Sequence, residues 1–173
     1  MDFVPQQGDF NQYQLLAAPL QYLMSPELED KYFNYVRQGG HLILTMRMAD
    51  RELPGKLSEL AGVEVLDYDC LRETHVEVLF EGQKLQANIW SDLMRLRPET
   101  KILASYASEF YAGEPCITEH SFGSGNCYYV GTEPGEELME ALISQICRKA
   151  GIEPICVPVP EVECMTREND KTR

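Results

Sequence analysis

The chain is short of positive charge. Its 173 residues hold 15 Lys and Arg against 28 Asp and Glu, for a formal net charge of −13 at neutral pH. No stripe of basic residues stands out. That shortage speaks against nucleic-acid binding and against attachment to anionic membranes. No run of about 18 apolar residues occurs, so no membrane-spanning helix is expected. The opening MDFVPQQGDF lacks the basic and apolar regions of a secretory signal. Cys70, Cys116, Cys127, Cys147, Cys156 and Cys164 include no C-x-x-C pair and no Cys/His cluster at zinc-ligand spacing. No internal repeat or low-complexity tract is present.

Catalytic signatures are missing as well. No Ser or Cys sits between glycines at a strand-to-helix turn, as a nucleophile elbow requires. Gly8 and the Gly123/Gly125 pair are not phosphate cradles, because such loops lead from a strand into a helix and Phe122–Gly125 leads from strand to strand. Cys116 and His120, four apart on an extended strand, stand about 13 Å apart and cannot share a proton. His41 and His75 have no acidic partner at useful spacing. Glu73 with Glu77, and Asp67 with Asp69, are adjacent surface acids rather than carboxylates flanking a cleft. No catalytic, cofactor-binding or metal-binding residue is assigned.

What is present is a mixed α/β pattern with an apolar fraction of 44%, ordinary for a globular domain with a real core. Tyr13–Pro19 reads as a buried strand. Ser25 and Pro26 start a helix, with Glu27, Glu29 and Asp30 at the positive end of its dipole. Leu28, Tyr32, Tyr35 and Val36 line one face, and Gly39-Gly40 ends it. His41–Thr45 is a second buried strand, which makes Tyr13–Thr45 a β-α-β unit with parallel strands. A weaker helix carries Leu53, Leu57, Leu60 and Ala61 on one face and closes at Gly62, before a strand at Val63–Leu66.

From Leu71 to Ile89 the alternation suggests antiparallel pairing about Glu81-Gly82, and Lys101–Tyr106 is a further strand. Cys116–Glu119 and Asn126–Val130 flank a tight turn at Phe122–Gly125. A helix starting at Thr132 or Glu133-Pro134 buries Leu138, Met139, Leu142, Ile143, Ile146 and Cys147, and stops at Gly151. Asp2–Pro5 reads as the tail of a strand. Pro154–Pro160 reads as a linker, and Val162–Thr166 as the first strand of something further, as in a piece of a longer protein. Unpaired cysteines inside apolar runs suggest a reducing, cytoplasmic setting.

Several segments resemble the family 42 glycoside hydrolases, the bacterial β-galactosidases, in their middle trimerisation domain. The opening block is found as Asp2-Phe3-Val4-Pro5, Asp9-Phe10 and Tyr13–Pro19. The helix-to-strand step is found as Gly39-Gly40 and Thr45-Met46-Arg47. Ala104-Ser105-Tyr106, Phe110-Tyr111-Ala112-Gly113 and Pro115 resemble a third block. Phe122-Gly123-Ser124-Gly125 and Tyr128-Tyr129-Val130-Gly131-Thr132 resemble a fourth, and Pro160-Glu161-Val162-Glu163 a junction with a C-terminal β domain. After Arg47 the family tends to continue with Ser-Gly and a longer acidic loop, where this chain has Met48-Ala49-Asp50.

The resemblance implies a flavodoxin-like or class I glutamine-amidotransferase-like fold: a doubly wound, mainly parallel sheet with an antiparallel hairpin extension. Residues 1–153 are then the trimerisation domain, and 154–173 a linker and first strand of a C-terminal β domain. It also implies a non-catalytic role, the family's catalytic glutamates lying in a barrel upstream of residue 1. The implied partners are that barrel and the neighbouring subunits of a homotrimer. Arg47, Asp50, Phe110 and Tyr111 are the candidate interface residues. Two rival readings are an amidotransferase-like enzyme working through a cysteine and a free-standing small-molecule binding module at the ends of Tyr13–Pro19 and His41–Thr45.

Overall fold

A computed structural model describes residues 2–48, 53, 55–71 and 75–154. Strands β1 (Leu15–Ala18) and β2 (His41–Thr45) flank helix α1 (Pro26–Arg37) and are parallel, with Leu15 opposite His41. The β-α-β unit read from the sequence is therefore present. Its helix starts where the sequence places it: the Ser25 hydroxyl accepts from the Leu28 N–H at 3.3 Å, and Pro26 fills the first turn.

The remaining elements are α2 (Gly55–Ala61), β3 (Val63–Cys70), β4 (Val76–Phe80), β5 (Gln83–Leu96), β6 (Lys101–Tyr106), β7 (Pro115–Phe122), β8 (Gly125–Val130), β9 (Thr132–Pro134) and α3 (Glu136–Lys149). They build one sheet in the order β1-β2-β8-β7-β6-β4-β5-β3, with β9 also paired to β5. β7 and β8 form the expected hairpin, Phe122 opposite Gly125, with Gly123 at φ +60 in the turn. Gly125 is needed for close approach. A Cβ there would lie 2.2 Å from the Gly40 carbonyl oxygen and 2.4 Å from that of Val36.

The sheet departs from the mainly parallel expectation. Among the described residues only the β1–β2 and β2–β8 ladders are parallel; β8–β7, β7–β6, β6–β4, β4–β5, β5–β3 and β5–β9 are antiparallel. The reason lies in the connections. β4–β5, β6–β7 and β7–β8 are sequence neighbours joined without a helix and so pair antiparallel, and residues 97–100 carry the chain from β5 past β4 to β6, which pairs antiparallel with β4; a parallel return needs a long crossover. β3 follows a helix, yet both edges of β2 are already occupied by β1 and β8. It pairs with β5 instead, at the far end of the strand order, and its VEVLDYDC sequence lacks the continuous apolar run of a buried parallel strand.

Period-two alternation sends neighbouring side chains into two cores. Leu42, Leu44, Cys127 and Tyr129 pack under α1 and α2 with Tyr32, Tyr35, Val36, Leu57 and Leu60. Ile43, Tyr128 and Val130 face the other way, against Leu138, Leu142 and Ile146 of α3. The last helix starts later than expected. The Thr132 hydroxyl donates to the Trp90 carbonyl oxygen at 2.7 Å, which holds Thr132–Pro134 on β5 as a strand before Gly135 opens α3. Met139 lies at the margin of its apolar stripe, exposed. Residues 2–5 have no regular secondary structure, so the expected strand tail is not found. Residues 155–160, most of the expected linker, and the expected strand Val162–Thr166 lie outside the described residues.

Candidate functional site

Directly after β2 the chain turns through Met46, whose N–H donates to the Val130 carbonyl oxygen at 2.8 Å. Arg47 follows in the left-handed region, at φ +57. A non-glycine residue there is uncommon and costs of order 1–3 kcal/mol, so its surroundings must hold it. Its guanidinium carbon lies 5.0 Å from the centroid of the Trp90 ring, a cation–π contact worth about 0.5–1 kcal/mol at an exposed site. Tyr68 of β3 stacks on Trp90 with centroids 4.5 Å apart and planes 9° from parallel. Three side chains from the end of β2, β3 and β5 thus form one surface-facing platform.

Beneath it sits a buried carboxyl. Asp92 is 3% exposed. Its Oδ1 accepts from the Trp90 indole N–H at 2.7 Å, and its Oδ2 from the Tyr129 hydroxyl at 2.7 Å. The Tyr106 hydroxyl reaches the carbonyl oxygens of Asp92 and Gly131, each at 3.1 Å. Burial pushes the Asp92 carboxyl above its ordinary value, and the two donated hydrogen bonds oppose that rise. Arg47, Met48, Leu53, Tyr68, Trp90 and Asp92 enclose a cavity of about 20 Å³, room for about one water molecule. It is too small for a substrate.

The candidate interface residues therefore separate. Arg47 is exposed and held on Trp90. Asp50 lies outside the described residues. Phe110 is 82% exposed, but Tyr111 is not a surface residue: it is 3% exposed. Its ring packs edge-on against Tyr106, and its hydroxyl bonds Asp69 Oδ2 at 3.2 Å and Ser91 Oγ at 3.3 Å. Tyr68, Trp90 and Asp92 are missing from the sequence reading. The available signal was an aspartate inside a strand beside the sole tryptophan.

Nothing described assembles a reaction centre. Cys116 and Cys127 are buried inside strands, and burial pushes both thiols far up, away from the thiolate a nucleophile needs. Cys70 is exposed on β3 and Cys147 lies on α3; neither is at a strand-to-helix turn. His41 has an acidic neighbour that its local sequence hides. Burial and the Lys149 charge lower its pKa, while Glu119 opposes them. Glu119 is itself buried and paired with Lys149, and His41 Nδ1 lies 3.2 Å from the Tyr128 hydroxyl. This is a structural ion pair with a satisfied imidazole. Among the described residues no group of three or more His, Cys, Asp and Glu is placed to hold a metal ion. No described helix is long and apolar enough to cross a membrane.

Arg, Trp and Tyr are the residue types that dominate interface hot spots, and among the described residues no nucleophile or base adjoins this platform. The family model described as β-galactosidase trimerisation domain matches residues 1–153. The chain belongs to that family. It is 30% identical over 176 residues to the β-galactosidase LacA of Lactobacillus acidophilus, covering 96% of this chain and 26% of the relative. It is 28% identical over 181 residues to the β-galactosidase bgaB of Geobacillus kaustophilus, covering 99% and 27%. The trimerisation domain thus spans about a quarter of the length of these curated relatives. Among solved structures, the cold-adapted β-galactosidase from Rahnella sp. R3 superposes with a TM-score of 0.82 at 24% identity, over 90% of this chain and 26% of that one. A catalytic mutant of Gan42B, a GH42 β-galactosidase from G. stearothermophilus, gives 0.81 at 24% identity, over 87% and 23%. These two likenesses show the fold.

Proposed function

We propose that this trimerisation domain is non-catalytic and assembles copies of a longer β-galactosidase, so as to position barrels that hydrolyse terminal β-galactosides. The observation that carries the reading is the family match over residues 1–153, on a chain whose described residues stack Arg47 and Tyr68 on Trp90 and assemble no reaction centre. Its partners are then its own catalytic barrel and the neighbouring subunits of a homotrimer, with Arg47 and Phe110 at the contacts. Nucleic acid is not among them, in keeping with a net charge of −13. Residues 1–153 are the domain proper and 154–173 lead into a C-terminal β domain. The parallel β1-β2-β8 part with α1 is a reduced flavodoxin-like or amidotransferase-like framework that has lost, or never had, the nucleophile of that class. Unpaired cysteines at 70, 116, 127 and 147 suit a cytoplasmic setting.

A direct test is to incubate the purified chain with a chromogenic β-galactoside. No turnover above a buffer blank is expected. Turnover that survives removal of host enzyme, and that follows the chain through a further column, overturns the non-catalytic reading.

A further inference from the structure

We propose that His41, Glu119 and Lys149 form an acid-sensitive latch, which holds the last turn of α3 on the sheet and releases it when the imidazole gains a proton. The parts come from separate elements. Glu119 of β7 is buried, with 5% of its side chain exposed, and Lys149 reaches it from α3 as an ion pair. Lys101 of β6 is the other cation near that carboxylate, at 3.9 Å and 67% exposed. A buried carboxylate depends on its best partner, because losing it leaves a charge uncompensated. That partner is Lys149, and Lys149 is the last residue of α3. The contact therefore closes the end of the helix onto β7.

His41 stands beside this pair. It precedes Ile43 by two on β2 and so shares the face that α3 covers. Its Nδ1 lies 3.2 Å from the Tyr128 hydroxyl, and the two rings stack 14° from parallel with centroids 6.1 Å apart. Tyr128 is directly opposite Glu119 in the β7–β8 register, and residues so placed hold their Cβ atoms about 5 Å apart. Imidazole, phenol and carboxylate thus adjoin one another under the end of α3. The ionisable groups around His41 are Tyr128 of β8, Glu119 of β7, Lys149 of α3 and Tyr35 of α1, whose hydroxyl donates to the His41 carbonyl oxygen at 3.2 Å. The paired strand β1 carries none. Burial pushes both tyrosines up, Tyr35 to about 12, so neither loses its proton near neutral pH. His41 is the member that changes charge there.

A protonated His41 puts a second cation beside Lys149 and a third beside Glu119. Lys149 is repelled, and the carboxylate depends on it less. Burial and the Lys149 charge lower the imidazole pKa while the turn is docked, and lifting the turn relieves both. The sign follows: the docked turn is fully held above the ordinary value of 6.5, loses hold as pH falls through it, and levels off below the docked value.

Hydrogen exchange of the 173-residue chain reads the latch at the Ala150 and Ile152 amides, which donate to the Ile146 and Cys147 carbonyl oxygens. Comparing wild type with each variant at the same pH cancels the intrinsic pH dependence of exchange. Between about pH 7.5 and about pH 5.5 the exchange rate of wild type relative to His41→Gln should rise about threefold or more at these amides, while amides in the middle of α1 stay level. Lys149→Met should free the last turn at every pH and remove the dependence. Circular dichroism checks that both variants fold. A wild type that tracks His41→Gln at every pH overturns the proposal, and so does an equal change in α1, which would be a global effect. Should His41→Gln not fold, Lys149→Met decides alone: a pH dependence that survives it unchanged overturns the latch.

Discussion

The Tyr129 hydroxyl donates to Asp92 Oδ2 at 2.7 Å, tying the end of β8 to the middle of β5. The same carboxyl fixes the Trp90 indole, and through it the ring on which Arg47 and Tyr68 lie. One buried acid therefore sets the shape of an exposed surface. Asp92→Leu removes the acceptor from two donors. The expected loss is about 1–3 kcal/mol for each donor left unsatisfied. Urea unfolding measures it, and a change below about 0.5 kcal/mol, the range of an ordinary surface substitution, would show that these hydrogen bonds do not hold the platform.

The same carboxyl predicts a pH dependence. Burial raises its pKa in the folded protein above the ordinary 3.8. The folded state then keeps its proton to higher pH than the unfolded state does. Its contribution to stability is full below the ordinary value and is lost as pH rises through the folded value. Asp92→Asn keeps the shape and removes the titration. The stability of Asp92→Asn relative to wild type should rise from about pH 4 upward and then level off. A difference that stays flat, or falls with pH, contradicts a raised Asp92.

Much of the parallel core was legible in the sequence. Ser25-Pro26, the stripe through Tyr32 and Tyr35 and the run His41–Thr45 are local signals, and the β1-α1-β2 unit follows from them. So is the Phe122–Gly125 turn. The site was not legible, because its parts meet through long-range pairing. Trp90 reaches Tyr68 only because β3 lies antiparallel on β5, with Cys70 opposite Trp90. β3 itself reads locally as the next parallel strand, and only the occupied edges of β2 send it elsewhere. Tyr111 reads with Phe110 as one aromatic step, yet the hydroxyl finds Asp69 and Ser91 and takes its ring inside.

The cysteines should react in order of their surroundings. Cys70 is exposed, Cys147 half-buried, and Cys116 and Cys127 buried with thiols pushed far up. Among the four described cysteines, brief alkylation of the native chain, read peptide by peptide by mass spectrometry, should label Cys70 first and Cys147 next. Cys116 and Cys127 should react only on unfolding. Labelling of Cys116 as fast as Cys70 would mean that β7 is not packed as described, and would revive the cysteine-enzyme alternative.

Sedimentation equilibrium of the 173-residue chain at two ionic strengths tests the assembly role most directly. Each copy carries −13, and salt shortens the reach of that repulsion from about 30 Å at 0.01 M to about 3 Å at 1 M. An isolated domain keeps only part of an assembly's interface, and stable specific contacts generally need on the order of 1,000 Å², so association should be weak. The expected result is a monomer in equilibrium with a trimer, the trimer growing with concentration and with added salt. A mass that stays at 19.7 kDa up to about 1 mM protein at both ionic strengths, a limit beyond which any contact is weaker than about 4 kcal/mol, or a mass that levels off at a dimer, would contradict it.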